Sequence, residues 1–181
     1  MILSSVPFSQ HANIDTQAEA HIRRAGASDA AQIAAFVSRA HPLRRAITRE
    51  EILIHFGKAG LLIAESDGRI VGLLGWQVEN LVARITDFLV MPAGLFHIVG
   101  PALLTAMENS ARELQCETAI LLIPFKDPES MTPFWSALGY ELHTVADLPR
   151  AWQDAALEVG LSTTGRMFVR KLRDERVLRP I

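Results

Sequence analysis

Residues 63–72 read IAESDGRIVG, and this stretch decides the fold because it predicts a β-hairpin near the middle of the chain. The pair Asp67-Gly68 is typical of a two-residue hairpin turn, since such turns require positive φ angles. Apolar residues on each side extend the pair into two strands, over 60–65 and 69–76. A third strand, over about 82–91, follows and ends at Pro92.

Two helices are predicted before the hairpin. Ser28 is a good N-cap for the first helix, which should end before Pro42. Thr48 and Glu51 form a capping box at the start of the second helix, and Gly57 marks its end. A short strand over 21–25 precedes both helices.

The second half of the chain predicts alternating helices and strands. Gly100-Pro101 indicates the start of a helix, because proline is favoured at the first helical position. The apolar run over 118–123 is typical of a strand that is buried on both faces. Shorter elements follow: a helix over 130–138, a strand over 140–145, a helix over 149–159 and a last strand over 167–172. This order predicts an α/β (α+β) protein with a mixed, mostly antiparallel sheet flanked by helices.

The composition is typical of one soluble domain. The 181 residues carry a formal net charge of −2, which favours neither nucleic acid nor a membrane as partner. A single cysteine, Cys116, excludes an internal disulfide and fits a cytoplasmic location. No histidine pair has the spacing of a metal site. We expect a single domain over 21–173, between a loose N-terminal arm over 1–20 and a C-terminal tail over 174–181.

Four segments, taken in order, resemble the GNAT acyltransferase superfamily. They are a first-strand segment over 22–29, the hairpin over 63–72, Val90-Met91-Pro92 followed by Gly100 and Leu103-Leu104, and FWSALGYE over 134–141. Together the likeness covers residues 22 to about 172. Each segment alone is a weak signal, whereas the four together, with family-like spacing, strongly favour this fold.

The resemblance implies acetyl-CoA as cofactor, and the histidine spacing predicts no metal. In this family, backbone N–H groups at a helix N-terminus hold the pyrophosphate, and the sequence pattern there is Gln/Arg-x-x-Gly-x-Gly/Ala. The pattern falls on residues 95–100, where only the last position matches. The candidate cofactor contacts are Leu95, Phe96, His97, Ile98, Val99 and Gly100, with Leu89 and Val90 beside the pantetheine arm. Two interpretations stay open: the amides still face the cofactor, or the apolar side chains fill the phosphate groove.

The resemblance also points to candidate catalytic residues. Trp135 stands where many members carry a tyrosine that protonates the leaving thiolate, although an indole N–H is not a practical proton donor. Tyr140 is an alternative acid, but its position in the family is usually part of the core. Asp87 is the candidate general base, with Glu79 as a weaker second choice.

Two functions from different classes stay open. The first is an N-acetyltransferase that transfers an acetyl group from acetyl-CoA to an amine of a small molecule or peptide. The second is a non-catalytic binding or dimerisation module, and a homodimer is compatible with both. The loop over 41–45 carries positive charge that would suit an acidic acceptor, although such a run is more often solvated surface.

Overall fold

The computed structural model describes residues 20–43, 45–121, 129, 131–157 and 162–173. Apart from Ala20, the predicted N-terminal arm lies outside these residues, as does the predicted C-terminal tail, so the proposed domain limits stay predictions. The described residues contain seven strands, β1 to β7 in chain order: His21–Arg24, Gly60–Ser66, Arg69–Glu79, Val82–Val90, Thr118–Leu121, Glu141–Thr144 and Arg166–Lys171. They also contain five α-helices, α1 to α5: Ala30–Ala40, Arg49–Phe56, Phe96–Glu113, Thr132–Ala137 and Arg150–Leu157.

The seven strands form one sheet in the order β1-β2-β3-β4-β5-β7-β6. Every neighbouring pair is antiparallel except β4 and β5, which are parallel. The predicted α/β class and the mixed, mostly antiparallel sheet are therefore confirmed.

The hairpin turn and the capping box, which were the two strongest local signals in the sequence, are both present in the structure. Asp67 and Gly68 have φ angles of 52° and 70°, as a tight hairpin turn requires. At α2, the Thr48 side chain accepts a hydrogen bond from the Glu51 amide, and the Glu51 carboxylate accepts one from the Thr48 amide. This reciprocal pair satisfies two of the donors that a helix N-terminus leaves open.

The predicted start of α3 at Gly100-Pro101 is wrong. The helix begins at Phe96, so Pro101 lies inside it, in the second turn. Pro101 has no N–H, so it cannot donate a hydrogen bond to the carbonyl four residues earlier. The helix nevertheless continues through Pro101 to Glu113. The segment predicted as a phosphate loop is therefore mainly the first turn of a helix.

Helices cover both faces of the sheet. α3 and α4 pack on one face, with a core that includes Leu74, Ile85 and Leu103. α1 and α2 pack on the other face over β2 and β3, and α5 packs there beside β5 and β7. We call these the α3 face and the α2 face.

The close approach of α3 to the sheet depends on Gly72. A Cβ atom at this position would lie 2.7 Å from Val99 Cγ1 and 2.9 Å from Leu103 Cδ1. Both distances are shorter than van der Waals contact allows, so α3 can pack this close to the sheet only if residue 72 is glycine.

Candidate functional site

β4 and β5 run side by side for only part of their length. Their pairing extends from Val82 and Thr118 to Ile85 and Leu121. β4 then continues to Val90 with β3 as its partner on one side. In the described part of the chain, the edge of β4 over 86–90 that would face β5 has no partner strand. Leu89 and Val90, both predicted as cofactor contacts, lie on this edge segment.

A bulge in β4 decides which face of the sheet Asp87 joins. Gly75 pairs with Asp87 and Trp76 pairs with Ile85, so Thr86 is an extra residue in β4. Ile85 lies on the α3 face, and after the bulge Phe88 lies on that face again. Asp87 is thereby turned to the α2 face, where it meets His55.

His55 and Asp87 form the central polar contact of this site. Nε2 of His55, near the end of α2, lies 3.3 Å from Oδ2 of Asp87. The Thr86 hydroxyl donates a hydrogen bond of 2.9 Å to the same carboxylate. The interaction with Asp87 raises the pKa of His55 in spite of desolvation. The interaction with His55 likewise lowers the pKa of Asp87, against the effect of burial and with a smaller contribution from Thr86.

The pair opens into a small cavity on the α2 face. The cavity has a volume of about 180 Å³ and lies between α1, α2 and strands β2 to β4. Its polar lining consists of Glu51, His55 and Asp87, and its apolar lining of Ile33, Val37, Ile47, Ile52, Leu61 and Leu73. A molecule in this cavity would therefore contact two carboxylates, one imidazole and an otherwise hydrocarbon wall.

α3 follows directly on a 3-10 turn over Ala93–Leu95, in which the Phe96 amide donates to the Ala93 carbonyl, so any anion site would use the amides of the first turn after Phe96. Within the described residues, no side chain caps this helix, and its first turn contains no acidic residue. The amides of such a turn and the helix dipole favour an anion. The helix has 18 residues, so its dipole is fully developed.

The predicted phosphate contacts have mixed environments. Leu95 and Phe96 are half-buried and pack against the core of the α3 face. Ile98 is 56% exposed and His97 is also exposed, whereas Val99 and Gly100 are buried. Some apolar side chains of this turn are therefore part of the core, while others are exposed to solvent.

An aromatic group joins this turn to α4. The Phe96 and Phe134 ring centroids are 5.0 Å apart, and those of His97 and Phe134 are 5.6 Å apart. Phe88 of β4 contacts Phe96 at 5.5 Å. We call Phe88, Phe96, His97 and Phe134 the aromatic bridge, because they connect β4, α3 and α4 beside the unpaired edge.

Neither candidate proton donor reaches the surface. Trp135 is 1% exposed and packs against Phe88, Phe134, Tyr140 and Phe168. This position supports a packing role, and its catalytic role stays a prediction.

Tyr140 is fully buried and donates a hydrogen bond of 3.0 Å to Glu108. Glu108 also accepts a bond of 2.9 Å from Arg170. Desolvation, together with the charge of Glu108, raises the pKa of Tyr140 well above its usual value. These contacts give Tyr140 a structural role in tying α3 to β7.

The remaining sequence candidates lie away from the pair. Glu79 is at the far end of the β3–β4 hairpin, 3.7 Å from Arg84. In the positive loop, Leu43 is fully exposed and Arg45 forms an ion pair with Glu51, while residue 44 is outside the described residues. Burial raises the pKa of the Cys116 thiol.

His55 was missed by the sequence analysis. It lies in the last turn of a helix that was predicted from its capping box and from Gly57, and neither of these points to a histidine. No local motif links it to Asp87, which is 32 positions later, and only the bulge at Thr86 brings the two together. A histidine four residues after the capping-box glutamate was the available hint, because both then share one side of α2.

The described residues contain neither a membrane-spanning helix nor a metal-binding cluster. No helix there combines the length and apolar character needed to cross a membrane. Nor do three or more His, Cys, Asp or Glu side chains cluster there as a metal site would require.

Comparison with known structures places the fold. N-acetylglutamate synthase from Neisseria gonorrhoeae, in complex with coenzyme A and N-acetyl-glutamate, has a TM-score of 0.62 at 21% identity. That match covers 85% of this chain and 35% of the synthase, so the chain spans about a third of that protein.

Two further structures match over almost their whole length. An acetyltransferase of the GNAT family from Staphylococcus aureus has a TM-score of 0.62 at 17% identity, covering 85% of this chain and 99% of the other. PaiA N-acetyltransferase from Thermoplasma acidophilum, in complex with coenzyme A, has a TM-score of 0.60 at 12% identity, covering 84% and 98%. At these identities the likeness is one of fold.

The sequence itself identifies the family. No curated protein matches it. The family model described as "Acetyltransferase (GNAT) family" matches residues 30–140, which is more than half of the chain and includes both β4 and the first turn of α3. The resemblance seen in the four sequence segments is therefore confirmed, and the chain belongs to the GNAT acetyltransferase family.

Proposed function

We propose that this protein is an N-acetyltransferase that transfers the acetyl group of acetyl-CoA to an amine. The observation that carries the proposal is the His55–Asp87 pair, which joins α2 to β4 beside the unpaired edge and opens into a cavity. A base next to an acceptor-sized cavity and a strand edge is the combination that amine acetylation needs. Family membership supports the same reaction.

The chain offers a fitting place for acetyl-CoA. The uncapped first turn of α3 would hold the pyrophosphate through its backbone N–H groups, and the edge of β4 at Leu89 and Val90 would pair with the pantetheine arm. Solved structures of similar fold contain coenzyme A. When bound, acetyl-CoA supplies an acetyl thioester, which an amine can attack.

His55 is the better base of the pair. Nε2 lies 3.3 Å from the Asp87 carboxylate, which favours a proton on this nitrogen and leaves Nδ1 to accept one. Asp87 holds the imidazole in this tautomer and stabilises its protonated form. The pKa of His55 is raised, which makes it a stronger base, whereas the pKa of Asp87 is lowered, which makes it a weaker one. Asp87 is therefore a positioning residue and His55 the catalytic one.

The leaving thiolate has no candidate acid in the described residues near this site. Trp135 lies within the core, and the Tyr140 hydroxyl is bonded to Glu108. We propose that the thiolate takes its proton from water.

A second function is favoured by the aromatic bridge. Its rings lie beside the edge of β4 at which the pantetheine arm would bind, and Ile98 stands where the family has glycine. If these side chains fill the groove, the protein is a non-catalytic binding or dimerisation module. A cytoplasmic location and a homodimer are compatible with both functions.

Thermal shift with acetyl-CoA separates the two functions. A ligand at 100 times its dissociation constant stabilises the folded state by about 2.7 kcal/mol. We expect a clear shift with acetyl-CoA and, in a thiol-release assay with a panel of amines, amine-dependent turnover. Absence of any shift at millimolar acetyl-CoA would reject the acetyltransferase.

Phe134→Ala tests the bridge directly. If the parent does not bind but this variant does, the aromatic bridge blocks the groove and the second function is favoured. Leu157→Ala, at a 41% exposed position in α5, is the matched control for removing an apolar side chain.

A further inference from the structure

We propose that the acceptor is a small primary amine with an apolar body and without a carboxylate. The inference rests on the proposed function, because it assigns the acceptor to the cavity beside His55. It follows from three properties of that cavity: its size, its hydrocarbon wall and the sign of its charges.

The size limits the acceptor. A volume of about 180 Å³ is below the roughly 300 Å³ at which sites for drug-sized ligands begin. The cavity, which is open on one side, therefore holds an amine end of a few carbons, as in an alkylamine or arylalkylamine, and a longer acceptor would have to extend out into solvent.

The wall determines the body of the acceptor. Ile33 of α1 and Leu73 of β3 are buried residues of the cavity lining. A hydrocarbon chain against this wall would leave water at no cost in hydrogen bonds. A polar chain in the same place would lose hydrogen bonds with water and find few partners.

The charges determine the head group. Asp87 and Glu51 are the acidic groups of the lining, and the interactions of each lower its pKa. Among the described residues, neither lysine nor arginine lines the cavity. The cationic groups beside these carboxylates, His55 and Arg45, are already paired with them. An ammonium group is therefore attracted, while a further carboxylate would meet two carboxylates whose cations are already engaged.

Arg45 does not change this conclusion. Its guanidinium forms an ion pair with Glu51, and its side chain is 74% exposed, outside the cavity. The positive loop that the sequence analysis connected with an acidic acceptor thus places no described cation on the cavity wall.

The reaction balances with these groups. The amine enters as an ammonium ion and loses one proton to solvent. Its nitrogen then forms a bond to the acetyl carbonyl carbon as the carbon–sulfur bond breaks. After the attack, the nitrogen loses its second proton, which passes to Nδ1 of His55. The thiolate takes a proton from water.

A matched pair of probes tests the head group. Isopentylamine and leucine share the same hydrocarbon chain, and leucine differs by its α-carboxylate. Each is titrated into the protein without acetyl-CoA, and binding is followed by calorimetry. We expect isopentylamine to bind at least about tenfold more tightly, because a desolvated carboxylate without a cation is strongly disfavoured. Equal or tighter binding of leucine, or no binding of either probe, would overturn the inference.

A variant tests the location. Ile47 lines the cavity and is half-buried, so Ile47→Arg places a cation at its wall. We expect the preference for isopentylamine over leucine to fall by at least about tenfold. Ile54→Arg adds the same charge at a 63% exposed position that is not part of the lining, and it should leave the preference unchanged. Equal effects of the two variants would mean that the probes bind elsewhere.

The same experiment distinguishes failure of the inference from failure of the proposed function. If isopentylamine binds but is not acetylated, the inferred amine site is supported and the proposed acetyltransferase function is rejected. Acetylation of glutamate or of a polyamine, with no turnover of isopentylamine, would leave the enzyme standing and reject this acceptor class.

Discussion

The two sides of β4 are built from different kinds of groups. On the α2 face, the chemistry lies in side chains: His55 and Asp87 in contact, with Thr86 bonded to the same carboxylate. On the α3 face, the first turn of α3 offers mainly backbone amides, and its side chains are apolar or aromatic. Both sides belong to one strand, yet only one of them can be recognised by its residue types.

The difference teaches which parts of a site can change without loss of function. A backbone N–H survives any substitution except proline, so an anion site made of amides can tolerate Leu95 and Phe96. A proton acceptor made of a side chain cannot survive replacement. We therefore expect variants on the α2 face to alter turnover, and variants on the α3 face to alter stability and cofactor affinity.

The largest effect is expected for Asp87→Asn. Loss of the carboxylate removes the group that orients His55, so kcat/KM with acetyl-CoA and isopentylamine should fall by about 10²-fold or more. The rate should rise with pH as His55 loses its proton, and this limb should move to lower pH in the variant, because Asp87 raises the pKa of His55. Glu79→Gln, at the far end of the hairpin, is the control. A loss of equal size in both variants would contradict the assignment.

The next largest effect is expected when the packing of α3 against the sheet is disturbed. Gly72→Ala places a methyl group against Val99 and Leu103, and we expect a loss of about 1–3 kcal/mol in the free energy of unfolding. Gly94→Ala is the matched control, since a Cβ atom there meets nothing within 4 Å. Urea unfolding measures both. A Gly72→Ala protein as stable as the control would mean that α3 can move away from the sheet easily.

A smaller effect is expected from restoring the family pattern in the first turn of α3. Leu95→Arg with Ile98→Gly adds a cation and exposes the amides, so coenzyme A should bind about two- to fivefold more tightly, as for an exposed ion pair. The glycine should cost about 1 kcal/mol of stability. Ile54→Gly, in α2, provides the same loss of helix propensity at an exposed position. Unchanged affinity would favour a filled groove.

The smallest effect is the pH dependence of stability on the α2 face. The raised pKa of His55 means that the pair stabilises the fold below the ordinary imidazole value of 6.5, and that this contribution is lost as pH rises through the higher folded value. The lowered pKa of Asp87 means that the contribution persists down to at least its ordinary value of 3.8. The urea midpoint of His55→Gln should therefore differ most from the parent near about pH 5.5, and the difference should shrink as pH rises through the folded pKa of His55. A constant difference would show that charge is not involved.

Local signals predicted the fold well. The hairpin turn at Asp67-Gly68 and the capping box at Thr48 act over a few residues, and each formed the expected structure. The start of α3 was misplaced because Gly-Pro is a strong local signal for a helix start. Here the packing of Phe96 and Val99 against the sheet extends the helix by a further turn.

The candidate site was less predictable. Asp87 could be proposed from the resemblance, but its partner His55 could not. Their contact depends on a β-bulge at Thr86, which no local sequence pattern predicts. The volume and charge of the cavity depend on five separate elements. Properties of this kind appear only when distant segments are brought together.

The extra residue in β4 also has a consequence for comparing this protein with its relatives. Side chains alternate along a strand, so one inserted residue reverses the parity of every position that follows it. If β4 alternated regularly from Ile85, with Thr86 paired to Gly75 and no bulge, Asp87 would lie in the hydrocarbon core beneath α3 and Phe88 would lie on the α2 face. An alignment that treats residues 85–88 as a regular strand would therefore place an aromatic ring where this protein has an acid, and would misassign the side chains that face α2.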